Sequence, residues 1–182
     1  WDDEFGTQSN LIPQYPGSGI IYELIEIGHS NQNNLPFWAV KLSYNADIIE
    51  DEPRILILGQ CHAEEILGIE ISMEIIDWFL HPIEHISIFS TILRPILQNI
   101  EIWVVPTYNP EGLSVVHGTQ IDENIYQDVT FRKNMTDINM DGLFSFQNGV
   151  GNDSDGVDLN RNYAFNWFFG DSEYMLDPGY GD

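Results

Sequence analysis

Positive charge is scarce in this sequence. Lys and Arg number 6 against 29 Asp and Glu, which gives a formal net charge of −23 over 182 residues. Proteins that bind nucleic acid neutralise phosphates with patches of Lys and Arg. The charge balance therefore excludes nucleic acid as a partner, and it also disfavours an anionic membrane surface, which attracts basic segments.

Cysteine and long hydrophobic runs are scarce as well. Cys61 is the only cysteine, so an internal disulfide framework is excluded and the redox compartment stays open. Glu and Asp interrupt the apolar runs well before the roughly 18 residues that a spanning helix needs, so we expect no membrane partner. No signal peptide is visible after Trp1. High acidity is loosely associated with secreted proteins, and we expect an extracellular or periplasmic location.

The residues that are present suffice for a folded core. Hydrophobic residues make up 43% of the chain and aromatic residues 13%, which is the composition of a folded protein rather than of an acidic disordered tail. The length suits one domain, or part of a larger one.

The apolar pattern alternates between strand-like and helix-like segments. After an irregular lead-in at residues 1–14, it predicts strands at Ile20–Ile27, Phe37–Ser43, Arg54–Leu58 and Ile100–Val105, and helices at Glu64–Leu80 and Ile83–Leu97. The strand at Arg54–Leu58 is continuously apolar, which predicts full burial, and the first helix is apolar around most of its circumference, which predicts the same. After Pro106 we expect about fifty loop-rich residues. This order predicts an α/β fold with a mixed, partly parallel sheet flanked by helices.

The first candidate site follows the strand at Arg54–Leu58. His62 and Glu65 are three residues apart where the first helix is expected to begin, so their side chains can converge on one point. Imidazole and carboxylate are zinc ligands, and catalytic zinc takes three of them from the protein. For an isolated H-x-x-E the favoured interpretation is a helix N-terminus whose acids complement the helix dipole.

Two further segments combine a loop with polar side chains. Asn109-Pro110 with Gly112 follows the last strand and alone indicates only a turn. The stretch 156–163 contains Arg161, whose planar guanidinium can hold a carboxylate with two hydrogen bonds. An ion pair with one of the many acids is the alternative for Arg161.

Together, in this order and at these separations, the three segments resemble the zinc carboxypeptidase family of the carboxypeptidase A and T type. The resemblance extends from about residue 15 to the C-terminus, and the string 156–163 (GVDLNRNY) is its most specific part. It implies a zinc-dependent peptidase that removes C-terminal residues from peptides with a free terminal carboxylate. The implied fold is the same mixed α/β fold.

The resemblance also implies a role for each matching residue. His62 and Glu65 are two of three zinc ligands, and Asp158 hydrogen-bonds the zinc-bound histidine and fixes its ring. Asn160 and Arg161 hold the substrate's terminal carboxylate. Arg132 corresponds to the arginine that stabilises the oxyanion as water adds to the scissile carbonyl, although a solvated loop cation is its alternative.

The chain departs from the family pattern at two points. Glu64 stands between the metal ligands where the family usually has Arg, which removes a positive charge near the substrate. The family's third ligand, a later His, and its general base, a still later Glu, have no counterpart because no histidine follows His117. We therefore expect residues 1–182 to be about the first 60% of a catalytic domain. Alone, this part is expected to be inactive and to leave sheet edges uncovered.

Two other motifs are weaker candidates. Asp137, Asn139 and Asp141 match the first half of a calcium loop, but Asn148 replaces the bidentate Glu, and Asp153 and Asp155 would have to complete the cage. The alternative is a flexible acidic loop.

The string from His81 to His85 matches H-x-x-E-H, but Pro82 belongs at a helix start, which puts His81 outside the helix. Beside the carboxypeptidase, two alternative functions stay open: a non-catalytic binding module of the same fold, and an amidase acting on cell-wall peptides.

Overall fold

The structure is a computed structural model, and it describes residues 11, 15–85, 87–121, 124–138, 140, 142, 144 and 155–163. The strands are β1 (Tyr22–His29), β2 (Pro36–Leu42), β3 (Arg54–Gln60), β4 (Glu101–Thr107), β5 (Thr119–Ile121) and β6 (Asn124–Tyr126). The helices are α1 (Leu67–Leu80), α2 (Pro82–His85), α3 (Ser87–Leu97) and α4 (Pro110–His117), followed by a 3₁₀ turn at Leu159–Arg161. None of the described helices has the length and apolar character needed to cross a membrane.

The sheet is mixed, as the sequence predicted. Its strand order is β1-β2-β4-β3, and β5 and β6 form a separate antiparallel pair. Strands β2 and β4 are antiparallel, with Val40 opposite Val104 and Leu42 opposite Ile102. Strands β3 and β4 are parallel, because Glu101 N donates to Pro53 O and, seven residues further along both strands, Tyr108 N donates to Gln60 O. The carboxyl ends of β3 and β4 therefore lie side by side, and the segments that carry His62, Glu65 and Asn109 begin there.

Within the described residues the chain divides into two compact units. The first comprises the described parts of 1–27, 38–59 and 67–107, and the second those of 28–37, 60–66 and 108–182. Each unit has its own apolar cluster. The cluster of the first unit contains Leu11, Tyr15, Ile21, Tyr22, Val40, Leu42, Ile76, Leu80, Leu97, Ile102 and Val104. That of the second contains Ala63, Val115, Val116, Phe131, Met135 and Phe144.

The predicted burial of β3 and of the first helix is wrong. Strand β3 lies at the edge of the sheet, and its Leu56 side chain is 62% exposed. In α1 the buried residues are Ser72, Ile76 and Leu80, whereas Leu67 and Ile71 are more than half exposed. A run of apolar residues predicts that a segment can be buried, but the number of its packed faces depends on its neighbours in the fold.

Two helices also differ from the expectation. The second predicted helix is divided into α2 and α3, and Pro95 lies inside α3 without ending it. Helix α4 falls in the stretch after Pro106 that was expected to be loop. It is eight residues long, and Asn109 caps it by accepting a hydrogen bond from Gly112 N, with Pro110 in its first turn. Such a short helix has too few apolar residues for a periodic signal.

A buried ion triad connects β2, β3 and β4 in the first unit. Glu101 is 1% exposed, and its carboxylate lies 3.1 Å from Lys41 Nζ and 2.7 Å from Arg54 Nε. Lys41 is also buried, and it donates to Ile48 O. Burial opposes ionisation of Glu101, but hydrogen bonds from Arg54, Lys41 and Trp103 outweigh it and lower the pKa of Glu101 to about 2.

We expect Glu101→Gln to lower the free energy of unfolding by about 3–5 kcal/mol, because it leaves the buried Lys41 ammonium without its counter-charge. The folded pKa is below the ordinary value of 4.5, so this contribution is present above pH 4.5 and is lost as the pH falls towards 2. Urea unfolding between pH 7 and pH 2 measures both effects. Glu23→Gln on the exposed side of β1 is the control, expected within about 0.5 kcal/mol of the native protein. Equal stability of the two variants at pH 7 would contradict the role of the triad.

Candidate metal centre

The loop between β3 and α1 presents His62 and Glu65 together. Helix α1 begins at Leu67 rather than at Glu64, so both residues lie on a turn, closed by a hydrogen bond from Glu65 N to His62 O. The His62 ring is buried, and its Nδ1 lies 3.1 Å from Glu65 Oε2. Ala63 between them belongs to the apolar cluster of the second unit, which anchors the turn. The predicted convergence of His62 and Glu65 is therefore present, although on a turn instead of a helix.

Asp158 holds the other nitrogen of this histidine. Its side chain is 1% exposed, and Oδ1 lies 3.2 Å from His62 Nε2. The same carboxylate accepts from Asn160 N at 2.9 Å and thereby caps the 3₁₀ turn. Burial opposes ionisation of Asp158, but the hydrogen bonds from Arg132 and Asn160 N outweigh it and lower its pKa. Asp158 is therefore an anion at neutral pH.

Arg132 lies among the acids of this site. Its Nε donates to Asp158 Oδ2 at 2.9 Å and its Nη1 to Glu64 Oε1 at 3.0 Å. The same Nη1 is 3.5 Å from Glu65 Oε1, and Nη2 is 2.7 Å from His62 Nε2. Burial works against the charge, but the bonds to Asp158 and Glu64 raise the pKa of Arg132. The interpretation of Arg132 as a solvated loop cation is wrong, because its side chain is 19% exposed and paired with three carboxylates.

Asn109 connects the two loops that carry these residues. Its side-chain amide donates to Cys61 O at 2.9 Å and to Lys133 O at 3.1 Å, while its oxygen accepts from Gly112 N. Gly112 lies so close to the Arg132 loop that a Cβ there would be 2.3 Å from Lys133 O. The sequence indicated only a turn at this position. Its one local signal for a connecting residue was Asn followed by Pro and, two residues later, Gly.

Asn134 makes the equivalent connection to the segment of Asp158. Its Oδ1 accepts from Val157 N at 2.8 Å, and its own N donates to Val157 O at 3.2 Å. Gly156 has a φ of +87°, and a Cβ there would lie 2.5 Å from Asn134 O. Only glycine adopts this conformation so close to a neighbouring backbone without strain. Three loops are thus held together by two asparagine side chains.

Asn160 and Arg161 lie on the exposed 3₁₀ turn directly after Asp158. Arg161 N donates to Asp158 O, and its guanidinium donates to Asn160 O at 3.2 Å. Within the described residues Arg161 makes no ion pair with a carboxylate, and the acids that follow residue 163 lie outside them.

The calcium loop is not supported. Asn139 and Asp141 lie outside the described residues, as does Asp153. The Oδ2 of Asp137 accepts from Gly142 N, and Asp155 Oδ1 accepts from Ile138 N. In the described part of the chain no group of three or more His, Cys, Asp or Glu is arranged to hold a metal ion.

The H-x-x-E-H string has the geometry that Pro82 predicted. Helix α2 begins at Pro82, and His81 lies before it. The His81 ring is 2.7 Å from Asp77 Oδ1 at the end of α1. His81 is therefore engaged with an acid of the preceding helix.

Comparison with known proteins identifies the fold. A family model described as zinc carboxypeptidase matches residues 14–178, which is most of the chain. The chain belongs to the zinc carboxypeptidase family. This membership confirms the resemblance on which the site residues were predicted, and it implies zinc as the metal.

Individual members of the family show the same relationship. Carboxypeptidase SOL1 of Arabidopsis thaliana is 27% identical over 95 residues, covering 52% of this chain and 18% of that protein. A zinc carboxypeptidase of Saccharothrix mutabilis subsp. capreolus is 31% identical over 97 residues, covering 51% of this chain and 20% of that protein. The crystal structure of carboxypeptidase A from Helicoverpa armigera superposes with a TM-score of 0.59 at 19% identity, covering 92% of this chain and 34% of that one. The matched part thus spans about a fifth of the curated relatives and a third of the solved structure.

The residues around His62 supply two donors of the types that bind zinc, fewer than the three protein ligands of a catalytic zinc site. In this family member His62 Nδ1 is buried and makes no hydrogen bond among the described residues, while Nε2 faces the anionic Asp158. A histidine that ligates through one nitrogen normally donates from the other to a carboxylate. This Nδ1 lies 3.1 Å from Glu65 Oε2, so one imidazole nitrogen and one carboxylate are presented together.

We expect Asn109→Ala to lower the free energy of unfolding by about 2–4 kcal/mol, because Cys61 O and Lys133 O lose buried donors and α4 loses its cap. Asn109→Ser retains a capping oxygen and should recover about 1 kcal/mol of that loss. Urea unfolding of the three proteins measures the difference. Asn99→Ala, which removes one exposed hydrogen bond to Pro95 O, is the matched control and should cost less than about 0.5 kcal/mol. A loss at Asn109 no greater than at Asn99 would show that the loops do not depend on this side chain.

Proposed function

We propose that the protein is a zinc-dependent carboxypeptidase that hydrolyses the C-terminal peptide bond of peptides with a free carboxylate. The observation that carries the proposal is the convergence of His62, Glu65, Asp158 and Arg132 in one unit, with the His62 Nδ1 buried and without a hydrogen bond. Family membership supports the same activity. Zinc, when bound, supplies a Lewis acid that polarises the scissile carbonyl and activates water.

The residues of this chain would hold the metal, stabilise the developing charge and bind the substrate. His62 Nδ1 and the Glu65 carboxylate would hold the metal, and Asp158 would accept the Nε2 proton of His62 and so keep Nδ1 free as a ligand. Arg132 would donate to the carbonyl oxygen as negative charge develops on it, since a cation fixed in advance stabilises that charge best in a partly buried site. Asn160 and Arg161 would bind the terminal carboxylate and place the last peptide bond at the metal.

The proposal includes a third ligand and a general base from outside residues 1–182. Two protein ligands hold catalytic zinc poorly, and the matched relatives are about five times longer than the matched part. We therefore propose that residues 1–182 contribute the first part of a catalytic domain and do not hydrolyse peptides alone. Secretion to an extracellular or periplasmic location stays a prediction.

We expect His62→Ala in the full-length protein to abolish both stoichiometric zinc and hydrolysis of a blocked dipeptide, because the imidazole ligand is lost. Metal analysis after dialysis and a peptidase assay measure the two effects. His81→Ala is the matched control, since His81 belongs to the first unit and contacts Asp77 there, and it should leave both unchanged. Zinc and activity that persist in His62→Ala would show that the metal assignment is wrong.

The same assay separates the alternative functions. A native protein that binds zinc but hydrolyses no peptide would favour the non-catalytic binding module. Hydrolysis confined to cell-wall peptides or acylated amino acids would favour the amidase.

We expect Arg161→Ala to lower kcat/KM for a substrate with a free C-terminal carboxylate by about 10- to 100-fold, the value of one or two charge-assisted hydrogen bonds. Hydrolysis of the same peptide with a C-terminal amide should change little, because the amide has no charge for Arg161 to pair with. Arg94→Ala, which removes a cation from α3, is the control and should leave hydrolysis of both substrates unchanged. An equal effect on both substrates would show that Arg161 does not recognise the carboxylate.

A further inference from the structure

Two acids compete for one nitrogen of Arg132. Nη1 lies 3.0 Å from Glu64 Oε1 and 3.5 Å from Glu65 Oε1. The Glu64 side chain is 26% exposed and that of Glu65 is 58% exposed. Because an ion pair weakens as water screens it, Glu64 is the stronger partner of this nitrogen, and Glu65 is the acid that Arg132 can release.

The second terminal nitrogen of Arg132, Nη2, lies close to a nitrogen of His62 that would itself be a hydrogen-bond donor when zinc is bound. Nη2 is 2.7 Å from His62 Nε2, the atom that also faces Asp158 Oδ1 at 3.2 Å. If Nδ1 is a metal ligand, Nε2 carries the proton and donates to Asp158, so it cannot accept from Arg132. The guanidinium must then rely on its other partners, among them Asp158 Oδ2 at 2.9 Å, Glu64 Oε1 at 3.0 Å and Glu65 Oε1 at 3.5 Å.

Glu64 in turn depends on Arg132. Its Oε2 is buried and makes no hydrogen bond within the described residues, whereas its Oε1 accepts from the Arg132 guanidinium, which compensates the charge of this carboxylate. Removing one member of such a pair leaves the charge of the other uncompensated. The two residues are therefore expected to act as a unit.

We propose that Glu64 is a positioning residue that holds Nη1 of the Arg132 guanidinium and thereby keeps Glu65 available to zinc. Without Glu64, Nη1 pairs with Glu65 and the guanidinium moves towards the ligands. This inference rests on the proposed zinc site, but it assigns a role to a residue that the metal does not touch.

A double-mutant cycle on the zinc dissociation constant tests this role. Glu64→Gln, Arg132→Met and the double variant are made in the full-length protein, and zinc affinity is measured by competition with a chelator. We expect Glu64→Gln to raise the dissociation constant about 10-fold in the native background, the size typical of residues that support metal ligands. In the Arg132→Met background the same change should alter it by less than about twofold, because no guanidinium remains to be anchored.

Control variants exclude a general charge effect. Glu23→Gln removes the same charge from β1 and should leave zinc affinity unchanged. Glu64→Ala is a second variant, read in the same two backgrounds, and the free energy of unfolding of each protein shows that it is folded.

Three other results would contradict either the positioning role of Glu64 or the proposed function. Equal weakening by Glu64→Gln in both backgrounds would mean that Glu64 acts on the metal directly by its charge, and the positioning role would be wrong. Unchanged affinity in the native background would have the same consequence. A native protein that binds no zinc would overturn the proposed function itself, and with it this inference.

Discussion

The buried carboxylate of Asp158 is the interaction on which the rest of the site depends. One oxygen faces His62 Nε2, and the other accepts from Arg132 Nε at 2.9 Å. The same group caps the turn that presents Asn160 and Arg161. Burial opposes the charge of this acid, but the hydrogen bonds from Arg132 and Asn160 N outweigh burial and lower the pKa of Asp158. An anion at this point sets the tautomer of the histidine, the direction of the arginine and the start of the turn together.

The backbone around Asp158 makes this arrangement rigid. Asn109 connects the His62 loop to the Arg132 loop, and Asn134 connects the Arg132 loop to the Asp158 segment. Gly112 and Gly156 allow these backbones to approach more closely than a Cβ would permit. A metal site needs its ligands held within a few tenths of an ångström, and side-chain amides that bond to backbone groups supply that constraint without adding charge.

Two charge networks in the described part of the chain use the few cations differently. In the first unit Lys41 and Arg54 surround one buried acid, Glu101, and the result is a closed ion triad. In the second unit the ratio of cations to acids is reversed, because the single cation Arg132 pairs with Glu64, Glu65 and Asp158. An excess of carboxylates around one guanidinium leaves negative charge for a divalent cation to neutralise, which agrees with the zinc that the family implies.

Motif spacing in the sequence indicated the family, because the chemistry of metal and carboxylate binding restricts which residue types can stand at those positions. Apolar periodicity indicated the order of the first four strands and of the first helix. The roles of His62, Glu65, Asp158, Arg132 and Arg161 stay predictions from the family resemblance. Strands β1 to β4 were predicted within about two residues at each end. The exposure of β3 and the division of the second helix could not be predicted, since both depend on packing partners. Only the tertiary structure decided that Asn109 and Asn134 hold the loops and that Glu64 shares Arg132 with Glu65, because these contacts join residues far apart in the chain whose pairing leaves no local pattern.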